Sequence, residues 1–356
     1  MCLKVLVIQQ KMIGDVLTSS ILFEAIKHKY PDAETHYVIN SHTYPVVEHN
    51  PFIDTFQFVT PEVEASKKQL FAFSKQLKEE QFDIVIDVYS KTSSNIMSWF
   101  TNAKTRISKY KYYTAFLYTH TFKDKKNPET NAGLAIENRL QLLKPLNIDA
   151  PKTIRPKIHL TELEKNKAST LLKSASINLN KPLYMISVIG SSAAKTYPAS
   201  YMAKLINKLV SEKKEAQILF NYIPKQESEA KFIYDLCEPS TQKQIYFDVF
   251  GKSLRDFLAI TYHCNALIGN EGGAINMAKA LNVPTFTIFS PWIKKEAWGL
   301  FEDKKQNVSV HLKDFKPELY YGKTARTLKK NWKHLYEQFS PNFFSEKLEK
   351  FICDKI

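Results

Sequence analysis

A chain of 356 residues is too long for one ordinary core, so two domains are expected, and 44% hydrophobic with 24% charged residues describes a soluble globular protein. No run of ~18 apolar residues occurs, which excludes a spanning helix, and the apolar opening lacks a small-residue cleavage site, so it reads as a first strand rather than a signal peptide. The net charge of +14 asks for an anionic partner, and with no zinc finger, RRM-type aromatic motif or basic zipper the nucleic-acid class drops out, leaving an acidic substrate or an anionic membrane face. Four scattered cysteines, Cys2, Cys237, Cys264 and Cys353, form no C-x-x-C and suit a reducing compartment, so a cytoplasmic protein is expected.

Residues 3–8 form a continuous apolar run of the kind buried in a parallel sheet. A loop carrying Lys11, Gly14 and Asp15 follows, and the spacing from Val16 to Ile26 predicts an amphipathic helix. Strands are expected at 35–39, 55–59, 82–87 and 105–107, with helices at 63–79 and 93–100. From 109 to 131 the pattern dissolves into Lys, Tyr, Thr and Phe, an aromatic and basic excursion rather than core. A helix is expected at 138–146 and a linker at 150–156.

A second alternation starts with a strand at 183–188 and a loop at 189–198, where Pro198 suits the first turn of a helix reaching 210. Strands at 216–220 and 244–247 flank a helix at 225–237, and Ser253 is placed to cap a helix at 254–262. Residues 266–281 then read as strand, turn and helix, with the next strand at 283–289. The turn holds Glu271, Gly272 and Gly273 before free helix amides, which suits a diphosphate. Helical, aromatic and basic material fills 323–356. The expected architecture is α/β, two Rossmann-like parallel-sheet domains facing a cleft: 1–165, 166–335, and a last helix at 336–356 packing back on the N-terminal domain.

No G-x-G-x-x-G follows the first strand, and no G-x-x-x-x-G-K-[ST] or G-x-S-x-G is present. The nine histidines show no H-E-x-x-H, and no Asp-x-Asp pair stands ready for a divalent metal. Dinucleotide, P-loop and nucleophile-elbow chemistries are therefore set aside.

Several segments together resemble glycosyltransferase family 9, the ADP-heptose:lipopolysaccharide heptosyltransferases. They are Lys4-Val5-Leu6-Val7-Ile8, Ile13-Gly14-Asp15-Val16-Leu17, Tyr30-Pro31-Asp32-Ala33, Phe82 to Asp87, Lys195-Thr196-Tyr197-Pro198, Ser253-Leu254-Arg255-Asp256, and Ile268 to Leu281 with Phe289-Ser290-Pro291. The resemblance runs in order over most of the chain and fails at 109–131 and after about 295. It implies the GT-B fold, an inverting transfer without an obligatory metal or cofactor, a nucleotide-sugar donor expected to be ADP-heptose, and a lipopolysaccharide-core acceptor at the inner membrane face.

Carried over residue by residue, the resemblance makes Asp15 the general base, with an N-cap as its structural alternative. Ser191, Ser192 and Lys195 meet the donor diphosphate, and Lys195 also stabilises the departing charge. Lys252 lies near the base, Glu227 is a candidate for the ribose, and Lys11, Gly14, Lys91 and Arg106 belong to the acceptor side. The family commonly has Asp-Thr-Gly and then a His where this chain has Glu271-Gly272-Gly273 and Asn276. Glu271 is expected to bind sugar hydroxyls, and these departures keep two alternatives open, a different nucleoside-diphosphate sugar or a catalytically weak envelope-assembly scaffold. The 110–122 stretch is expected at the membrane interface.

Overall fold

Val5, Leu6, Val7 and Ile8 are all fully buried because the strand they form, β1 (Lys4–Ile8), has a parallel neighbour on each side. A strand covered on both faces reads as unbroken apolar sequence. In the computed structural model, which describes residues 2–149 and 153–353, β1 belongs to a six-stranded sheet. Part of the expected linker, 150–152, lies outside the described residues.

The first sheet comprises β1, β2 (Glu34–Asn40), β3 (Thr55–Val59), β4 (Ile84–Asp87), β5 (Thr105–Lys109) and β6 (His120–Phe122), in the order β3-β2-β1-β4-β5-β6. All its pairings are parallel, with Leu6 opposite His36 and Val85. Leu6, Ile8, Val38 and Val85 pack on Phe73 and Leu77 of helix Lys67–Glu79 and on Met97 of helix Thr92–Phe100. Each such buried side chain is worth ~1.5–3 kcal/mol.

The second unit has β7 (Leu183–Ser187), β8 (Gln217–Phe220), β9 (Ala266–Asn270), β10 (Thr285–Ile288) and β11 (Asn307–Val310), in the order β11-β10-β9-β7-β8 and again all parallel. In each sheet the order reverses once, between β1 and β4 and between β7 and β9. Loops leaving the carboxyl ends of two such strands diverge to opposite faces, and the crevice they open is where α/β sheets take ligands.

Five expectations are corrected. The 109–131 excursion is not outside the sheet: it supplies β6, and Tyr118 is buried. The helix expected at 63–79 is two helices, Pro61–Ala65 and Lys67–Glu79, because Ser66 turns extended and its hydroxyl accepts from the Gln69 amide at 3.4 Å. The strand expected at 244–247 is a single bridge, Ile218 to Ile245. Helix Glu162–Ser174 and β11 lie where no element was expected.

The fifth concerns the last helix, Ser345–Cys353, which packs in the second unit, not on the N-terminal domain. Phe344, Leu348, Phe351 and Ile352 join that unit's core, and the Tyr197 hydroxyl donates to the Phe339 carbonyl at 2.6 Å. The chain divides after His159, with residues Glu296–Leu300 returning to the first unit.

Candidate active site

In the first unit the loop after β1 feeds helix Ile13–Ser19 at the sheet's switch point. Met12 is the N-cap residue and its side chain caps nothing, so Asp15 is not the N-cap: it sits inside the first turn. Its carboxylate Oδ1 accepts from Arg139 Nη2 at 2.7 Å, with the Asp15 side chain 30% exposed and Arg139 5%. The rest of the guanidinium is tied down, Nε donating to Ser19 Oγ at 2.8 Å and Nη1 to the Ala135 carbonyl at 2.6 Å. A planar fork held at three points fixes the carboxylate it touches. Asp15 Oδ2 has no hydrogen-bond partner among the described residues, so one oxygen is oriented and the other is available. Burial pushes the Lys109 ammonium below its ordinary value, Arg139 adds to this, and Asp124 and Asp15 act against it.

Of the other acceptor-side residues, Lys11, Gly14 and Lys91 follow the carboxyl ends of β1 and β4, whereas Arg106 is the second residue of β5, in the amino-terminal half of that strand. Gly14 is the second residue of the helix, and its carbonyl accepts from Thr18 Oγ1 at 2.9 Å. Lys11 is ion-paired with Glu64, which also accepts from Asn40 Nδ2 at 3.0 Å. The hydrogen bond to Glu64 holds the Lys11 ammonium above its ordinary value. Lys91 is exposed at the start of helix Thr92–Phe100 after β4, its amide donating to Ser94 Oγ at 2.9 Å. Arg106 is engaged in structure: Nε donates to the Leu117 carbonyl at 2.9 Å and Nη1 to Ala103 at 2.7 Å, and the guanidinium lies 5.4 Å from the Trp99 ring centre.

In the second unit the loops after β7 and β9 meet at that sheet's switch point. Lys195 Nζ lies 3.6 Å from Glu271 Oε2, with the two side chains 28% and 10% exposed. At that length there is charge attraction but no hydrogen bond, and Glu271 Oε2 is buried without a partner. Burial therefore pushes the Glu271 carboxyl above the usual carboxylate range, with Lys195 pulling the other way. Gly190 explains how the lysine loop folds: a Cβ there would stand 2.2 Å from the Lys195 carbonyl oxygen. Gly272, extended before helix Gly273–Ala280, has nothing within 4 Å of its Cβ direction, and at Gly273 the nearest atom is Met277 Cε at 3.8 Å. Ser191 and Ser192 are exposed in the loop, and Asn276 is half-buried on the helix. Glu227 is exposed at the start of helix Glu227–Asp235, and Lys252 is exposed one residue before Ser253, whose hydroxyl caps helix Leu254–Tyr262 by accepting from the Asp256 amide at 3.1 Å.

The structure thus brings Lys195 to Glu271 and leaves Glu227 and Lys252 as single exposed residues. Sequence reading missed the groups that hold the loops. Asn270, fully buried, accepts from the Tyr197 amide at 2.7 Å and donates to the Ser187 carbonyl at 2.8 Å. Ser290 Oγ and Trp292 Nε1 both donate to the Ala194 carbonyl, at 2.7 and 2.8 Å. Gln226 Nε2 reaches the Gly190 carbonyl at 3.3 Å. Asn270 and Ser290 stand at strand ends, where a polar residue closing an apolar run was the available signal; Arg139 carried none. Among the described residues no three His, Cys, Asp or Glu side chains gather as metal ligands, and no helix is long and apolar enough to cross a membrane.

The profile of the family described as glycosyltransferase family 9 (heptosyltransferase) matches residues 70–328. Lipopolysaccharide heptosyltransferase 1 of Campylobacter coli is 22% identical over 293 residues, 81% of this chain and 84% of that protein. Among solved structures, the family 9 glycosyl transferase of Veillonella parvula superposes with a TM-score of 0.78 at 16% identity, covering 99% of this chain and 97% of its own. An E. coli heptosyltransferase solved with ADP gives a TM-score of 0.69 at 14% identity, covering 98% of this chain and all of that one. The fold shared with them is GT-B.

Proposed function

The chain belongs to glycosyltransferase family 9, and on that premise we propose that it moves heptose from ADP-heptose to the core of a lipopolysaccharide, inverting the anomeric carbon without a metal. In this reading it works in the cytoplasm, on an acceptor held at the inner membrane face. The acceptor hydroxyl oxygen bonds to the anomeric carbon as the bond to the diphosphate oxygen breaks. Asp15 takes the hydroxyl proton, and the nucleoside diphosphate leaves with the electron pair. Lys195 stabilises the charge that grows on the leaving diphosphate. Ser191, Ser192 and the amides following Gly272 are assigned to the phosphates, Glu227 and Lys252 to the nucleoside, and Glu271 and Asn276 to the sugar. Lys11, Gly14, Lys91 and Arg106 are assigned to the acceptor side.

The observation that carries this reading is Asp15 itself: a partly exposed carboxylate at a switch point, one oxygen held by buried Arg139 and the other unpartnered. A second reading, a donor sugar other than heptose, is favoured by the open space over Gly272 beside the unpartnered Glu271 oxygen. Asp15→Asn should lower turnover by about 10²–10⁴-fold, the usual worth of a general base, while the donor nucleotide still raises the thermal midpoint as it does for the parent chain. Unchanged turnover would remove Asp15 as the base. In the same midpoint assay ADP and ADP-heptose should outperform UDP, GDP and UDP-hexoses; the reverse order would overturn the donor.

A further inference from the structure

Five large apolar side chains between Trp99 and Phe116 are left in water: Trp99 at 51%, Tyr110 at 43%, Tyr112 at 83%, Tyr113 at 58% and Phe116 at 75%. Contacts within the first unit hold several of them in place. The Tyr112 and Tyr113 rings meet edge to face at 5.1 Å. Lys123 Nζ stands 5.2 Å from the Tyr110 ring centre, and Arg106 links Trp99 to the Leu117 carbonyl beside Phe116.

The turn that carries them is pinned from beneath. Tyr118, buried, approaches Asp87 Oδ2 at 2.6 Å and Asn95 Oδ1 at 2.7 Å. Lys111 donates to the Ser90 carbonyl, and the Tyr110 amide pairs with the Phe122 carbonyl at 2.8 Å. The aromatics therefore stand exposed on a held backbone, and large apolar side chains left in water along one short stretch mark a contact site.

Charge selects the partner. Residues 104–126 contain seven Lys and Arg against one acid, Asp124, and Lys104, Lys123 and Lys126 are exposed. Tyr, Trp and Phe between lysines are the composition of a water–bilayer boundary, where the ring is buried and the hydroxyl or ammonium stays wet. Each cation near an anionic leaflet adds ~1 kcal/mol. We propose that the 110–118 turn and its basic surround dock the first unit on an anionic lipid bilayer, with Tyr112, Tyr113 and Phe116 entering the headgroup region. The surface acts whichever donor the enzyme uses.

Co-sedimentation of the full chain with phosphatidylcholine vesicles, with and without phosphatidylglycerol, tests this with no donor or acceptor present. Binding should require the anionic lipid and fall as salt rises. Replacing Tyr112, Tyr113 and Phe116 together by Ser should weaken it at least about tenfold without lowering the thermal midpoint, since these rings support no core. Lys123→Glu with Lys126→Glu should remove the preference for the anionic lipid. In a separate chain, Phe116→Trp should gain emission that brominated acyl chains quench beyond the parent's own tryptophans. Parent-like binding by the triple-Ser chain, no added quenching, or retention only on RNA or on a protein column would overturn the proposal. Asp15→Asn should bind vesicles as the parent does, so a failure of this inference and a failure of the catalytic reading are separable.

Discussion

A buried carboxylate whose nearest cation stands at 3.6 Å, and whose Oε2 has no hydrogen bond, resists ionisation, and Glu271 is in that position. Above the ordinary glutamate range the unfolded chain has lost this proton while the folded chain still favours it, so folded protein binds more protons. Stability then falls as pH rises from the ordinary value through the raised one. Glu271→Gln should accordingly melt above the parent near about pH 8, and the gap should close only towards about pH 3, below the ordinary glutamate value, where the parent carboxyl is protonated in both states. Thermal midpoints across that range check the sign, and a gap that widens on acidification would mean that Lys195 more than compensates the burial. The same residue is suited to accept from sugar hydroxyls, and a ligand that donates to Oε2 would remove the penalty.

The loop from Gly190 to Lys195 shows how an element, rather than a residue, places a cation. Ser290 and Trp292 clamp the Ala194 carbonyl, Asn270 fixes the Tyr197 amide, and Gln226 holds Gly190. Gly190→Ala would set a methyl 2.2 Å from the Lys195 carbonyl oxygen, which only a backbone shift relieves. The expected cost is ~1–3 kcal/mol of stability, as for other overpacked sites. Because the shift falls on Lys195, nucleotide affinity should drop by at least about tenfold, read by titration alongside the thermal midpoint. Unchanged affinity would show that the loop does not set the lysine. Gly272→Ala, with nothing within 4 Å, serves as the comparison and should leave the midpoint unchanged.

Residues 341–353 belong energetically to the second unit. Phe344, Leu348, Phe351 and Ile352 lie in its core, and Tyr197, which follows the Lys195 loop, packs on Phe339 and Phe344. Four buried side chains at ~1.5–3 kcal/mol each rival the whole stability of a typical domain. A chain ending at Ser340 should therefore lose cooperative unfolding of the second unit, while the first unit, whose core is separate, keeps its own transition. Calorimetry distinguishes this from a peripheral tail, for which both transitions would persist.

Local pattern carried most of the sheets. Unbroken apolar runs such as residues 4–8, and helical spacing such as 254–262, are set by burial on both faces or on one. They placed nine of the eleven strands among the described residues; Lys195 and Glu271 stand in the loops after β7 and β9, and Asp15 in the first turn of the helix after β1. β6 and β11 escaped because a three- or four-residue strand at a sheet edge carries too little periodicity to read. What only tertiary structure decided is pairing across long separations: Arg139 on Asp15, the amide and carbonyl clamps on the Lys195 loop, and the last helix in the second core rather than the first. Those outcomes depend on which buried polar group finds a partner and which apolar face finds cover. Both are properties of the assembled unit, and no window of sequence contains them.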